Sequence, residues 1–163
     1  DSVTASIYPE LEELEKKAAA SDKPQDFSKK ITLLVNKELE SWQMANTVAH
    51  MSAYFGNNIA KTEFDTSDYF LTQDSTKLPR NSQFAIIIKR ASEKELHKMF
   101  SKVREAHMKH HVFIKEMQDT TNDSEITEIL HKQTEDDTVF YGLGVFGDNE
   151  EVDRLTKDFQ LWK

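Results

Sequence analysis

The sequence predicts an α/β fold: a single domain with a mixed four-stranded sheet and helices packed on it. Short apolar runs alternate along the chain with segments whose apolar residues recur every three or four positions, as strands and helices do in α/β proteins. The chain has 163 residues, 37% of them hydrophobic and 31% charged. This size and composition suit one globular domain with one core.

The amino-terminal part divides into a peripheral region and the start of the domain. Residues 9–20 carry apolar positions at helical spacing and predict a short amphipathic helix, which Ser21–Pro24 ends. This helix and its linker make up residues 1–28, and residues 29–163 are predicted to form the main domain. The apolar run Ile31–Val35, bounded by polar residues, predicts the first strand, which is buried.

A helix is predicted next, from Ser41, which suits its N-cap, to about Phe55, where Gly56–Asn58 favours a left-handed C-cap. At helical spacing, the small and apolar residues fall on one side of this helix and the more polar residues fall on another. The predicted buried side consists mostly of small residues, which allow the helix to lie close to the sheet: Ala45, Val48, Ala49, Ser52, Phe55 and Gly56. Another flank carries Gln43, Asn46, His50 and Tyr54.

The middle of the chain contains a connection, a strand and a helix. Residues 57–82 form a polar connection with one or two weak apolar elements. Phe84–Lys89 predicts the second strand. Ser92 suits the N-cap of a helix, whose inward stripe is Leu96, Met99, Phe100 and Val103.

The last third supplies two more strands and two helices. His111–Met117 alternates weakly and predicts the third strand, and Ser124–Lys132 predicts a helix. Thr138–Phe146 predicts the fourth strand. Asp148 precedes Glu151 by three residues, which predicts a capping box at the start of a short final helix.

Charge and composition narrow the classes of function. The chain contains no cysteine, which excludes disulfides, thiolate nucleophiles and cysteine-ligated zinc. No apolar run is long enough to cross a bilayer, so a cytoplasmic location is the default expectation, although the start at Asp1 leaves room for a processed leader. The net charge is −8, with three basic and twelve acidic residues in 118–158. A nucleic-acid partner, which needs a basic surface, is not expected.

Two segments resemble the type 2 peptidyl-tRNA hydrolase family. Lys30–Gly56 (KITLLVNKELESWQMANTVAHMSAYFG) is similar to the strand, loop and alanine-rich helix that open those enzymes, with His50 at the helix histidine. Tyr141–Lys163 (YGLGVFGDNEEVDRLTKDFQLWK) is similar to their closing segment and includes Asp153. The resemblance to the related domain of unknown function family 2000 is closer and covers about Lys29–Lys163, especially at Asn46, Ala49-His50, Phe113, Met117 and Gly142-Leu143-Gly144.

The departures from the hydrolase pattern limit what the resemblance implies. The opening helix of the hydrolases carries a functional Lys and, four residues later, a Gln, and Gln43 and Thr47 stand at those positions here. The loop before the helix is about two residues shorter, and the Arg and Asp that flank it become Asn36 and Glu38. Of the polar residues of the pattern, only His50 and Asp153 are retained, so peptidyl-tRNA hydrolysis is not expected.

The resemblance implies a groove formed by the loop 36–40, one flank of the helix and Asp153. Its candidate catalytic residues are His50 and Asp153, and its candidate ligand-binding residues are Lys37, Glu38, Asn46, Gly142 and Gly144. Asn46 and His50 lie one helical turn apart, and an imidazole and an amide can serve as general base and oxyanion donor. The alternative is structural: His50 hydrogen-bonds to a neighbouring loop and Asn46 caps a carbonyl.

Three further patterns each have a functional and a structural interpretation. His107, His110 and His111 could clamp a divalent ion from one continuous helix, or form a solvated basic patch. Lys94, Lys98 and Lys102 could follow a phosphate backbone, or cover a solvated helix face. Gly142 and Gly144 point the same way from a strand and leave backbone open to a packed helix or a ligand. No metal and no cofactor is expected.

Two hypotheses for the function follow. In the first, the groove around Asn46 and His50 is a hydrolase-like or small-molecule site. In the second, the domain is a noncatalytic module that binds a protein through the groove or the acidic carboxyl-terminal third. A monomer or a homodimer is expected, without membrane association.

Overall fold

The computed structural model describes residues 26–59, 63–65 and 69–163. They belong to two compact units. The larger unit is drawn from Phe27–Phe64 and Phe84–Lys163, and the smaller one includes Asp65–Gln83. The helix and linker predicted in residues 1–28 lie outside the described residues, except for residues 26–28.

The described chain contains six strands and five helices. The strands are β1 (Asp26–Asn36), β2 (Tyr69–Leu71), β3 (Lys77–Pro79), β4 (Phe84–Ala91), β5 (Lys109–Ile114) and β6 (Phe140–Asp148). The helices are α1 (Ser41–Ile59), α2 (Glu93–Glu105), α3 (Lys115–Asp119), α4 (Asp123–Leu130) and α5 (Asn149–Thr156).

The main sheet has the strand order β4-β1-β6-β5. β1 and β5 both run antiparallel to β6. The Lys37 amide, which follows β1, donates to the carbonyl of Ala91 at the end of β4 (2.9 Å), so these two strands run parallel. The predicted mixed four-stranded sheet with helices packed on it is therefore confirmed.

Apolar side chains fill both faces of this sheet. On one face α1 contributes Met51, Phe55 and Ile59 to a buried cluster with odd-numbered residues of β1. On the other face α2 and α5 pack on a second cluster that includes Leu143 and Val145. The sheet thus has helices on both sides, and residues that alternate along β1 and β6 belong to different cores.

α1 differs from its prediction in length and in the side that it buries. It continues through Gly56–Asn58 to Ile59. Its buried residues are Thr47, Met51, Phe55 and Ile59, while Ala45 and Ala49 are exposed. The close approach to the sheet is achieved by glycines on β6 instead of alanines on the helix, so larger side chains point inward.

Of the caps predicted for the other helices, one is present in the structure and one is absent. Ser92 caps α2 in a complete capping box, in which its hydroxyl accepts from the Glu95 amide and the Glu95 carboxylate accepts from the Ser92 amide. The capping box predicted at Asp148 is wrong, because its side chain makes no capping hydrogen bond to α5. The strand predicted over His111–Met117 is shorter, because α3 begins at Lys115.

The two edges of the main sheet differ. Along β4, the Arg90 amide donates to the Gln160 carbonyl (2.9 Å) and the Trp162 amide donates to the Ile88 carbonyl (3.0 Å). Along β5, the backbone of the strand pairs only with β6 among the described residues. Among the described residues, one edge is therefore partly covered by the chain itself and the other is open.

The smaller unit contains the β2–β3 hairpin within the predicted polar connection. Phe70 pairs with Leu78 across the hairpin, and both are exposed. Ser75 in the turn between the strands has a positive φ of 65°.

None of the helices in the described part of the chain is both long and apolar enough to span a membrane.

Candidate functional site

A cleft of about 650 Å³ opens in the larger unit between α1, β5 and the α3–α4 segment. This volume is typical of small-molecule sites in proteins. α1 lines it with His50, Ala53, Tyr54, Asn57 and Asn58, β5 with His111 and Phe113, and the third side with Met117, Thr120, Thr121, Asp123, Ile126 and Thr127.

Four rings form one side of the cleft, and we call them the ring cluster. The His50 ring stacks on Phe113 with centroids 5.1 Å apart, and the Tyr54 ring stacks on His111 at 4.0 Å. Both pairs are nearly parallel, with interplanar angles of 11° and 12°. Stacked rings of this kind expose flat, polarisable surface, while their edges carry hydrogen-bonding nitrogen or oxygen.

The spacing of the ring cluster follows from backbone geometry. His50 and Tyr54 are four residues apart on a helix, about 6 Å along its axis. His111 and Phe113 are two residues apart on a strand, about 7 Å, and point to the same side of it. The two repeats nearly match, so one helix and one strand that run in opposite directions can stack two pairs of rings side by side.

The third side of the cleft is polar and formed by α3 and the start of α4. The Thr120 hydroxyl donates to the Glu116 carbonyl (2.9 Å) and the Thr127 hydroxyl to the Asp123 carbonyl (2.8 Å). Both hydroxyl oxygens therefore keep acceptor capacity toward the cleft. The exposed Asp123 side chain adds a carboxylate. A ligand thus meets rings on one side and acceptors on the other.

His111 is the group of the cleft whose ionisation is perturbed. Its pKa is lowered from 6.5, first by burial and then by the neighbouring charges of His110 and His50. Burial disfavours the imidazolium because it loses hydration. His111 is therefore held as the neutral imidazole, the form that stacks against Tyr54 without carrying a charge.

The lowered pKa of His111 predicts a stability that falls in acid. Below pH 6.5 the unfolded chain binds a proton at His111 that the folded chain resists, so the free energy of unfolding decreases as pH falls through this range and is fully retained above it. We expect His111→Phe, which keeps the stack on Tyr54, to show a smaller decrease between about pH 7.5 and about pH 5. Thermal melts of both proteins at the two pH values measure the difference, and equal slopes would contradict the assignment.

Asn46 lies one turn before His50, as predicted, but it is engaged elsewhere. Its amide oxygen accepts a hydrogen bond from Gln118 Nε2 (3.1 Å), which also donates to the Gln43 carbonyl (3.4 Å). Asn46 therefore ties α1 to α3 next to the cleft, and it does not line the cleft. His50 itself is exposed, lines the cleft and stacks on Phe113.

Asp153, which was predicted to share a groove with His50, does not line the cleft. It lies on α5, on the face of the sheet opposite α1, and forms an ion pair with Lys30. Side chains point to alternate faces of the sheet along β1, so Lys30 lies on that face. The two groups proposed as a catalytic pair, His50 and Asp153, are thus separated by the sheet.

Lys37 and Glu38 lie where β1 ends and are likewise absent from the lining of the cleft. Lys37 borders a separate polar depression of about 350 Å³ together with Arg90 and Glu95. The Glu38 amide donates to the buried Asn36 side chain (3.0 Å), whose own amide group donates to the Phe140 carbonyl (3.1 Å). This loop is organised as a turn at the end of the strand.

Gly142 and Gly144 point the same way, as predicted, but α1 covers them. A methyl group at Gly142 would lie 2.6 Å from Met51 Cε, and one at Gly144 would lie 2.4 Å from Phe55 Cε2. Both glycines are buried and lie outside the lining of the cleft. Of the two interpretations of these glycines, the structure shows the packed helix, and their predicted role in ligand binding stays a prediction.

The structure also shows where the residues of the histidine and lysine patterns lie. α2 ends at Glu105 and His107 has a positive φ of 52°, so His107 and His111 do not share a helix face. In the described residues, no three His, Asp or Glu side chains are grouped to hold a metal ion. The stripe of Lys94, Lys98 and Lys102 is exposed along α2.

Most of the ring cluster was not predicted from the sequence. Tyr54 falls on the predicted flank of the helix, but Phe113 was identified only as a residue of the family resemblance and His111 only as a strand residue and possible metal ligand. A sequence signal does exist, namely aromatic or histidine residues at i and i+4 of a helix and at i and i+2 of a strand. Which helix meets which strand depends on the sheet order, which the pattern alone does not specify.

Comparison with known proteins gives a family and a fold. The model of the family described as "Protein of unknown function (DUF2000)" matches residues 29–163. The solved structure of the protein of unknown function Atu0240 from Agrobacterium tumefaciens strain C58 is similar, with a TM-score of 0.72 and 19% sequence identity, over 85% of this chain and 100% of that one. Likeness at this identity shows the fold alone. No curated protein matches the chain.

Proposed function

Because this chain belongs to the family of proteins of unknown function DUF2000, its function has to be inferred from its own cleft, and we propose that the cleft binds a small molecule with a flat ring. The observation that carries the proposal is the ring cluster beside about 650 Å³ of open space. A flat ligand would stack on or between these rings, and its polar substituents would meet the threonines and Asp123.

We further propose binding without hydrolysis as the main role of the cleft. A histidine that acts as general base is usually oriented by a carboxylate or carbonyl, and His50 has neither among the described residues. The candidate partner Asp153 pairs with Lys30 on the far face. A hydrolase-like role for His50 would therefore need a group supplied by the ligand itself.

The relation to the type 2 peptidyl-tRNA hydrolase fold is part of the same proposal. The two segments that resemble those enzymes form β1–α1 and β6–α5, and β1 and β6 are neighbours in the sheet. The resemblance thus falls on adjacent parts of one structure. α1 lines one side of the cleft, and the other two sides, β5 and the α3–α4 segment, lie outside these two segments.

Binding is tested with ring-bearing fragments, namely indole, quinoline and benzamide, followed by ligand-detected NMR with the full chain. We expect Tyr54→Ala and His50→Ala to weaken a binding fragment by about tenfold each, since each removes one stacking partner. Both side chains are exposed, so we expect the free energy of unfolding to change by less than about 1 kcal/mol.

Matched controls are available outside the cleft. Trp42→Ala and His131→Ala remove an exposed aromatic ring and an exposed histidine that do not line it. They should leave fragment affinity unchanged. The proposal fails if none of the fragments binds, or if the control variants weaken binding as much as the cleft variants do.

A further inference from the structure

The open edge of β5 is the feature of the larger unit that the small-molecule cleft leaves unexplained. β5 is the last strand of the sheet, and among the described residues its backbone pairs only with β6. Residues 160–162 already pair with the opposite edge strand β4. A free edge presents backbone N–H and C=O groups at regular spacing, which is a template for another strand.

Space for an added strand runs along β5. The cleft borders the strand at His111 and Phe113, and a second depression of about 350 Å³ borders it at Lys109 and His110. Tyr54 and Asn58 line both of them. Between them, the two cavities border four of the six residues of β5, a strand about 20 Å long.

The side chains of this strand are basic where they meet these cavities. Residues 109–115 include Lys109, His110, His111 and Lys115 and no acidic residue. The ammonium of Lys109 lies 3.9 Å from Glu63, and that of Lys115 lies 2.7 Å from Asp119, so part of this charge is already balanced. Lys109 is nonetheless 57% exposed. In an added strand, every second side chain would lie beside Lys109, His111 and Phe113.

We propose that an extended, acidic segment of a partner protein adds to β5 as a fifth strand of the sheet. Backbone hydrogen bonds would supply affinity, and an acidic side chain opposite Lys109 would supply specificity. This proposal deepens the proposed function, because the flat ring in the cleft is then a side chain of the segment. A second copy of β5 would bring the basic residues Lys109 and Lys115 of both chains to one interface, and this repulsion between like charges favours an acidic partner over a second copy.

The test uses the full chain and a labelled peptide, acetyl-Glu-Val-Glu-Val-Phe-Val-Glu-amide, in which the glutamates and the phenylalanine lie on the same face of an extended strand. Binding is measured by fluorescence anisotropy. Replacing every Glu of the peptide by Lys should weaken binding by about tenfold or more. Two further peptides carry N-methyl groups on alternate amides, in the two possible sets. Only one set of amides faces β5 in a strand pair, so we expect one methylated peptide to lose binding and the other to keep it. Lys109→Glu should weaken the parent peptide several-fold.

Each other result overturns the inference. If both methylated peptides bind like the parent, the contact is made by side chains and no strand is added. If no peptide binds although ring-bearing fragments do, the partner proposal fails and the small-molecule cleft stands. If neither binds, both proposals fail. If the chain dimerises through β5, as amide shifts of that strand during dilution would reveal, the occupant is a second copy.

Discussion

Replacing Gly144 with alanine is expected to lower the free energy of unfolding by about 3 kcal/mol, enough to unfold a marginal domain at physiological temperature. The added methyl would lie 2.4 Å from Phe55 Cε2 and 3.0 Å from Leu33 Cδ2, well inside the separation of about 3.5–4 Å at which carbon atoms attract. Phe55 and Leu33 are both fully buried. Neither has solvent to move into, so α1 must shift away from the sheet.

Two other glycines supply graded controls for this prediction. Gly142→Ala meets Thr47 Cγ2 at 2.8 Å and the end of the flexible Met51 side chain at 2.6 Å, so we expect a smaller loss. Gly56 lies within α1 with nothing within 4 Å of a new methyl group. Gly56→Ala should therefore stabilise the protein by about 1 kcal/mol through helix propensity.

Denaturant titration of the three variants checks the order, and a second substitution checks the cause. The free energy of unfolding of the double variant Gly144→Ala, Phe55→Leu should fall by less than the sum of the two single decreases, because a smaller side chain at position 55 relieves the contact. If the two losses of stability add strictly, or if Gly144→Ala alone melts like the wild type, then α1 does not pack closely on this glycine.

Restoring the hydrolase-like pair with Gln43→Lys and Thr47→Gln is expected to damage the fold without creating a peptidyl-tRNA hydrolase. Thr47 is fully buried and packs against Gly142. A glutamine there overfills the contact between α1 and β6 and buries an amide for which the described residues offer no partner. We expect a loss of about 3 kcal/mol, from overpacking and from the unsatisfied amide together.

The measurements are a melt and an assay with diacetyl-lysyl-tRNA, in which neither wild type nor the double variant should exceed background. Thr47→Val is the matched control. The Thr47 hydroxyl has no hydrogen-bond partner among the described residues, so its removal at constant shape should be neutral or stabilising by about 1 kcal/mol. Turnover by the double variant, or a melt equal to that of Thr47→Val, would contradict the prediction.

The fold was largely predictable because its elements are encoded locally. Runs such as Ile31–Val35 and the stripe that begins at Leu96 specify a buried strand and an amphipathic helix within a few residues. The buried side of α1 was predicted wrongly, because small residues suggest close packing but do not reveal which partner is small. Here the small partners are Gly142 and Gly144, about 90 residues further along the chain.

The cleft was less predictable, since no short segment contains it. His50 was identified through the family pattern, and it does line the cleft. Asp153 was carried over by the same pattern, yet the alternation of β1 places its partner Lys30 on the other face. Tyr54, His111 and Phe113 meet only after β5 has paired with β6 and α1 has packed on the sheet. The residues of the ring cluster are far apart in the sequence, so no short sequence pattern identifies them as a group.

The unequal edges of the main sheet also bear on uncontrolled assembly. A fibre that grows by strand addition needs two open edges on each molecule, one to receive a copy and one to pass the pairing on. Here Ile88 and Arg90 of β4 are already hydrogen-bonded to Trp162 and Gln160. Two chains that met through β5 would satisfy each other in a symmetric pair, and within the main sheet the described residues leave the next copy only the partly occupied β4. Strand addition through the main sheet would thus close at two copies.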